Sequence, residues 1–265
     1  MSNENVVIKL SNINKTFRIK DRNTSSVFAK VSNIFNPNKI RAIKALENIN
    51  VEIKKGEFFG IIGSNGSGKS TLLKIMTSVY QPDKGGEIKI TGDFQRLTLA
   101  TGFDNELTAR ENIFLNGSLH GLSFKKIRII FNSILQFAEL EKFVDTKVKY
   151  FSSGMISRLA FSIAVNIEAD ILFLDEFGGV GDASFRKKTE RVFNDFISRG
   201  KTIVHVSHEL DTISEYCDRV LLLDKGKQIL IDKPDVALAS YRRKVQKEEG
   251  INLHAFLHNE TIRRD

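Results

Sequence analysis

The stretch Gly63-Ser64-Asn65-Gly66-Ser67-Gly68-Lys69-Ser70-Thr71 limits what this chain can fold into more than any other segment. It satisfies G-x-x-x-x-G-K-[ST] at every fixed position, and both flanks suit it. Phe58-Phe59-Gly60-Ile61-Ile62 reads as a short buried strand, and Leu72-Leu73-Lys74-Ile75-Met76 reads as the opening of a helix. Gly63, Gly66 and Gly68 let the backbone curl around a polyphosphate without Cβ clashes, so that successive N–H groups face inward. The helix opening near Lys69 adds its positive dipole end. Lys69 is placed to reach the β- and γ-phosphates, and the Ser70 hydroxyl to ligate Mg²⁺. A chance Gly/Ser-rich turn would have no reason to carry both flanks. The stretch predicts a nucleoside triphosphate site.

With 265 residues the chain suits one domain, or one domain with a subdomain. A hydrophobic content of 41% and a charged content of 27% describe an ordinary globular chain. The single cysteine, Cys217, permits no internal disulfide and agrees with a reducing compartment. The start, Met1-Ser2-Asn3-Glu4-Asn5, shows no basic region followed by an apolar core, so no signal peptide is expected. No apolar run approaches the length that crosses a bilayer. A net charge of +8 raises nucleic acid or anionic lipid as partners. The basic residues are spread along the chain, however, with no aromatic RNA-binding motif, zinc spacing or compact basic arm. No nucleic-acid partner is expected.

Along the chain, Val6-Val7-Ile8-Lys9-Leu10 and Ile13 to Ile19 read as two strands of one sheet, with Ala45 to Lys54 as a third. Between them, Val27, Phe28, Val31, Ile34 and Phe35 recur at helical spacing, an amphipathic helix expected to face a membrane partner or interface rather than its own core, with packing on its own sheet as the alternative. Gln81-Pro82-Asp83-Lys84-Gly85-Gly86 is a turn, and Glu87 to Thr91 alternates as a strand. Residues of about 108 to 168 are mostly helical: Glu111 to Leu119, Phe124 to Phe137, and a helix entered at Ser152-Ser153-Gly154. Two buried strands, Asp170 to Asp175 and Thr202 to Ser207, bracket a helix from Phe185 to Ser198. A hairpin follows over Val220 to Ile231. The pattern is α/β: a P-loop core with a helical insert between the phosphate loop and the carboxylate strand. After about residue 237 a helix, Ala237 to Glu248, and then a polar, basic stub are expected; so short a tail is too small for a core of its own.

Ile171-Leu172-Phe173-Leu174-Asp175-Glu176 is a hydrophobic strand ending in two carboxylates. Downstream of a phosphate loop, Asp175 suits a metal-holding role and Glu176 suits a general base for the attacking water. Val204-His205-Val206-Ser207-His208-Glu209 ends another strand. A strand-end imidazole such as His208 can hydrogen-bond a γ-phosphate, although on these residues alone a satisfied structural histidine is the simpler reading; His205 alternates to the opposite face and receives no role.

Tyr150-Phe151-Ser152-Ser153-Gly154-Met155 brings in a resemblance. The segment resembles the L-S-G-G-Q signature of the ATP-binding-cassette (ABC) family, with Ser152 and Gly154 matching and Phe151, Ser153 and Met155 departing. A serine and a glycine at a helix N-terminus form an anion site in their own right. Gly102 to Ile113 is similar to the G-F-x-x-E-L-T-G-R-E-N-I stretch of exporters of capsule, O-antigen and teichoic acid. Tyr150 to Met155 with Arg158-Leu159-Ala160-Phe161 is similar to their Y-S-S-G-M-x-x-R-L-A-F, and Asp175-Glu176 with Val180-Gly181-Asp182 to their D-E-x-x-x-V-G-D. The resemblance covers residues 5 to 235 or so.

The resemblance implies an ABC ATPase fold, with an antiparallel β subdomain and a helical subdomain of about 108–168 inside a cassette of 1–236. Residues 237–265 would be an accessory tail, not a glycan-binding domain. It implies ATP and Mg²⁺ as cofactors and two copies of the chain facing head to tail. Each ATP would lie between Lys69, Ser70, Asp175, Glu176 and His208 of one copy and Ser152 and Gly154 of the other, with Asp182 as the D-loop aspartate. Phe17 best matches the aromatic that stacks on adenine. The family's glutamine before Leu107 has no clear counterpart: spacing points to Thr98 or Leu99, and Gln95 lies too early. The implied role is ATP hydrolysis for a polysaccharide exporter, peripheral on the cytoplasmic face of the inner membrane. A separate integral membrane permease would handle the polysaccharide. An importer ATPase is the alternative on the same residues. A soluble ABC ATPase acting on nucleic acid or ribosomes would carry a long coiled-coil insert or two cassettes in tandem, and this sequence shows neither.

Overall fold

The computed structural model describes residues 5–20, 40–98, 102–175, 183–207 and 209–261. The expected helix of 27–35 lies outside them, as do Leu99, Glu176, Asp182 and His208. In chain order the elements are β1 (Val6–Lys20), β2 (Ile40–Lys54), β3 (Phe58–Ile62), α1 (Lys69–Met76), β4 (Glu87–Ile90), β5 (Phe94–Thr98), α2 (Ala109–Leu119), α3 (Phe124–Ala138), α4 (Ser153–Ala164), β6 (Ile171–Asp175), α5 (Ala183–Ser198), β7 (Thr202–Val206), α6 (Leu210–Tyr216), β8 (Arg219–Asp224), β9 (Lys227–Asp232) and α7 (Pro234–Thr261). The strands run in the order β4-β1-β2-β9-β8-β3-β7-β6-β5. The segment from β8 through β3, β7 and β6 to β5 is parallel, whereas β1 pairs antiparallel with both β2 and β4. This is the α/β sheet with an antiparallel subdomain that the sequence predicts.

Alternation along the parallel strands sends apolar side chains to both faces, as a fully covered sheet requires. Phe58 and Ile62 of β3, with Leu172 and Leu174 of β6, join Phe161, Phe185 and Phe193 on one face. Phe59, Ile61, Ile171 and Phe173 turn to the other face and meet Leu72, Leu73, Ile75 and Met76 of α1. The helical insert has a third core, built on Ile113, Ile127, Ile134, Leu159 and Ile163. Helix α4 belongs to both regions, since its Phe161 and Ala164 pack in the main core.

Three features differ from the sequence reading. Val6–Leu10 and Ile13–Ile19 are one strand, because Asn12 absorbs the irregularity at a φ of 50° instead of ending the ladder. Asn48 on β2 does the same at 48°. The asparagines opposite close both bulges: Asn12 N donates to Asn50 Oδ1 at 2.8 Å, and Asn48 N donates to Asn14 Oδ1 at 2.9 Å. Strand β5, unread in the sequence, forms the sheet edge beside β6. The tail is a helix through Thr261, not a helix with a stub. Past Pro234, which is tolerated at its first position, Gly250 is the strong helix-disfavouring residue, and a single glycine costs only about 1 kcal/mol in a running helix. That helix starts inside the main core, where Ala237 and Leu238 are buried. Among the described residues no helix is long and apolar enough to cross a membrane.

Candidate functional site

The phosphate loop spans the gap between the end of β3 and the first residue of α1. Gly63 has a φ of 152°, and a Cβ there would fall 2.3 Å from the Leu223 carbonyl oxygen and 2.6 Å from Ser67 Oγ. At Gly68 the φ is 107°, and a Cβ would sit 2.8 Å from the Ala45 carbonyl oxygen. Only glycine fits these two positions. The backbone of Ser67 locks the loop in place: its N donates to Ser64 O at 3.1 Å, and its O accepts from Gly226 N at 3.0 Å. Asn65 and Gly66 stand exposed at the tip, with open space beside Gly66.

Lys69 is buried, and its Nζ donates to Gly63 O at 2.7 Å and Ser64 O at 3.0 Å. The ammonium is thereby held over the loop instead of extending into solvent. Helix α1 has no side-chain cap and no acid in its first turn, unlike α2, α3 and α4, whose Thr108, Ser123 and Ser152 cap them. The first N–H groups of a helix have no intrahelical acceptors, and an uncapped end suits an anion. Ser70 is exposed in that first turn, and Thr71 is half-buried behind it.

Asp175 ends β6 at the same edge of the sheet. Strand β7 lies between it and the loop strand, and its Val206 pairs with Ile61 on one side and Asp175 on the other. Asp175 is half-buried, and its Oδ2 accepts from Arg96 Nη2 at 2.7 Å. Sequence reading missed Arg96, which sits among the mixed polar and apolar residues of Phe94 to Thr98. Thr98 ends β5 directly across from Asp175, whereas Gln95 pairs with Leu172 farther back. The oxygen donors Ser70 and Asp175 suit a hard cation such as Mg²⁺, which takes one or two protein oxygens alongside phosphate.

Ser152 and Gly154 lie elsewhere, at the start of α4 in the helical subdomain. Ser152 Oγ accepts from Met155 N at 3.2 Å, and both residues face solvent at least in part. Among the described residues no hydrogen bond joins them to the phosphate loop. The Gly102-to-Ile113 stretch has a structural explanation. Thr108 and Glu111 form a reciprocal capping box, and buried Asn112 bonds Asp104, Leu107 and Thr108. Glu106 pairs with Lys149 first and Lys147 second, which hold its carboxyl below the usual range. With Lys149 N donating to Asn105 O, these contacts fasten the loop to the segment that leads into Ser152.

Phe17 is half-buried on β1 and lies outside the apolar cores, with its ring edge-on to Tyr80 at 5.4 Å between centroids. Lys15 Nζ lies 5.5 Å from the Phe17 centroid, and Lys74 Nζ lies 5.4 Å from that of Tyr80. His205 is fully buried, on the face opposite Val204 and Val206, against Phe58 and Phe193.

A glycine-locked loop ahead of an uncapped helix, with a carboxylate two strands away and a helical insert carrying a capped Ser-Ser-Gly, defines an ATP-binding cassette. A family model described as "ABC transporter" matches residues 46–177. The O-antigen export system ATP-binding protein RfbB of Myxococcus xanthus is 43% identical over 209 residues, 78% of this chain and 48% of that protein. The protein of the same name from Klebsiella pneumoniae is 35% identical over 240 residues, 89% of this chain and 98% of the relative. The chain thus spans about half the length of the first relative and nearly all of the second. A solved ATP-binding cassette, a dimer in a post-hydrolysis state with ADP and phosphate, superimposes with a TM-score of 0.68 at 25% identity, covering 86% of this chain and 98% of that one. The chain belongs to the ABC transporter family.

Proposed function

We propose that this chain is the ATP-hydrolysing subunit of an exporter that moves a cell-surface polysaccharide of the O-antigen type across the inner membrane. The observation that carries this reading is the preformed phosphate loop, with Lys69 held across it and Asp175 on the same sheet edge, in a chain so similar to O-antigen export proteins.

The loop N–H groups and the start of α1 bind the triphosphate, and Lys69 shifts from the loop carbonyls to the β- and γ-phosphate oxygens. Ser70 and Asp175 would hold Mg²⁺, which when bound neutralises charge between those phosphates. Glu176 accepts the proton of the attacking water, and His208 steadies the γ-phosphate. Asp182 would serve as the D-loop aspartate toward a second copy, whose Ser152 and Gly154 would close on the same γ-phosphate. Binding draws the two copies together; hydrolysis parts them and resets a separate integral membrane permease on whose cytoplasmic side they sit. The permease handles the polysaccharide. Residues 1–236 form the cassette and 237–265 an accessory tail.

Tagged chain recovered from detergent-solubilised membranes should bring down an integral membrane protein in stoichiometric amount. Deleting the gene should strip polysaccharide from the cell surface, with lipid-linked glycan accumulating inside. Copurification of a periplasmic-binding-protein-dependent permease instead would favour an importer.

A further inference from the structure

The contact between Arg96 and Asp175 joins two residues 79 positions apart on the face of the sheet that carries α1. Phe173 packs there against the side chains of α1, and residues two apart on a strand share a face, which puts Asp175 with Phe173. Strand β5 pairs in register with β6, Arg96 opposite Phe173 and Thr98 opposite Asp175, so the guanidinium leans two positions along the sheet toward the strand end. It reaches the Asp175 carboxylate at 2.7 Å, with side-chain exposures of 27% for Arg96 and 14% for Asp175. Arg96 Nε is buried without a hydrogen-bond partner among the described residues. A half-buried charge-assisted bond of this kind is stronger than a surface pair, and it points at the carboxylate oxygen pair a metal ion would use.

We propose that Arg96 is a competing counter-ion for Asp175. The inference rests on the reading of Asp175 as a metal-holding residue. In the nucleotide-free cassette Arg96 neutralises and orients the carboxylate. When a divalent ion arrives with nucleotide, Arg96 yields or shares that carboxylate and stands as a like charge beside the ion. The metal is consequently held more weakly than it would be beside a neutral side chain at position 96. A weaker hold favours departure of metal and ADP after hydrolysis, the step that returns the carboxylate to Arg96.

Mn²⁺ is a direct probe, because its free form gives a sharp paramagnetic resonance signal that vanishes on binding. The purified chain is titrated with Mn²⁺ at saturating ADP, so that no turnover intrudes, and Mn²⁺ taken up by ADP alone is subtracted using a protein-free titration at the same ADP concentration. Arg96→Met should lower the Mn²⁺ dissociation constant about five- to tenfold, the effect of removing one partly screened positive charge near the ion. Arg96→Gln, which keeps polarity and loses charge, should move it the same way, and Arg96→Lys should stay near the parent. Without metal and nucleotide, Arg96→Met should melt below the parent, because Asp175 is left unpaired; Mn²⁺ with ADP should narrow that gap. Equal or weaker Mn²⁺ binding by both neutral variants would overturn the proposal. If Asp175→Asn binds Mn²⁺ as well as the parent, the metal-site reading itself fails and the proposal falls with it.

Discussion

The ring of Phe17 meets the ring of Tyr80 edge-on, 5.4 Å between centroids and 71° between planes. Tyr80 follows the loop helix α1, so the antiparallel ribbon and the phosphate site are coupled through this pair. Phe17 is half-buried and belongs to none of the apolar cores, which agrees with the base-stacking role proposed for it. Phe17→Ala should weaken ATP binding about tenfold, within the range for one aromatic stacked on a base. Phe17→Tyr should restore most of it, and GTP should suffer as much as ATP, because stacking is indifferent to the base edge. Fluorescent nucleotide titration decides the matter; an unchanged affinity in Phe17→Ala would remove Phe17 from the site.

Lys69 carries the second prediction. Its ammonium has two carbonyl acceptors in the loop, Gly63 O and Ser64 O. Lys69→Ala removes the phosphate contact and releases those carbonyls, so affinity and loop order should both decline. ATP binding should fall by roughly 10- to 100-fold, as expected for losing one charged phosphate contact of about 1.5–3 kcal/mol. Hydrolysis should become undetectable while the melting temperature without nucleotide changes little. Retained ATPase activity would show that Lys69 is only structural.

The buried imidazole of His205 supplies a prediction about stability. Both ring nitrogens lack hydrogen-bond partners among the described residues, and burial lowers its pKa to about 4. The folded-state value lies below the unfolded value near 6.5, so the unfolded chain takes up a proton first as pH falls. The stability contribution is complete above about pH 6.5 and is lost progressively toward pH 4. Between pH 7.5 and pH 5 the loss from this one group is roughly 2 kcal/mol. His205→Leu should remove that share of the pH dependence, and should raise stability at neutral pH by about 1–2 kcal/mol through loss of the unsatisfied polar group. Urea melts of both proteins at the two pH values measure the difference; identical pH slopes would refute the assignment.

The parts of the site that a local motif specifies were legible in the sequence. Gly63 through Thr71 show in their spacing because the loop's steric demands are local, and Ser152 shows because capping couples it to a residue three positions on. Asp175 is marked by the apolar run before it. The Arg96 contact was not legible, since it depends on β5 lying beside β6, a pairing set by the whole sheet. Mixed polar and apolar residues from Phe94 to Thr98 hid the strand itself. The unbroken course of β1 through Asn12 was hidden for a related reason: polar Ser11 and Asn12 look like a turn until Asn50 closes the bulge from the other strand. At the tail, the continuation of α7 to Thr261 reflects the absence of a proline or capping motif after Glu248 more than any periodic signal.

Glu176 carries the last and most discriminating prediction. In the general-base role proposed for it, Glu176 takes the proton of the attacking water, and Glu176→Gln retains size and hydrogen bonding while losing that capacity. Lys69, Ser70 and Asp175 are untouched, so ATP should bind with near-parental affinity. Phosphate release should fall by about 10²–10⁴-fold, the range for removing a positioned base. Two copies that close on ATP and cannot hydrolyse it should then stay together. Size-exclusion chromatography with ATP and Mg²⁺ should show a dimer for Glu176→Gln, a largely monomeric parent that turns its ATP over, and a monomeric Lys69→Ala. Adding Ser152→Arg to Glu176→Gln places bulk and charge where the second copy's α4 must approach the γ-phosphate. That combination should bind ATP and yet fail to dimerise. Parental phosphate release from Glu176→Gln would sink the general-base assignment, and an ATP dimer that persists with Ser152→Arg would sink the composite site.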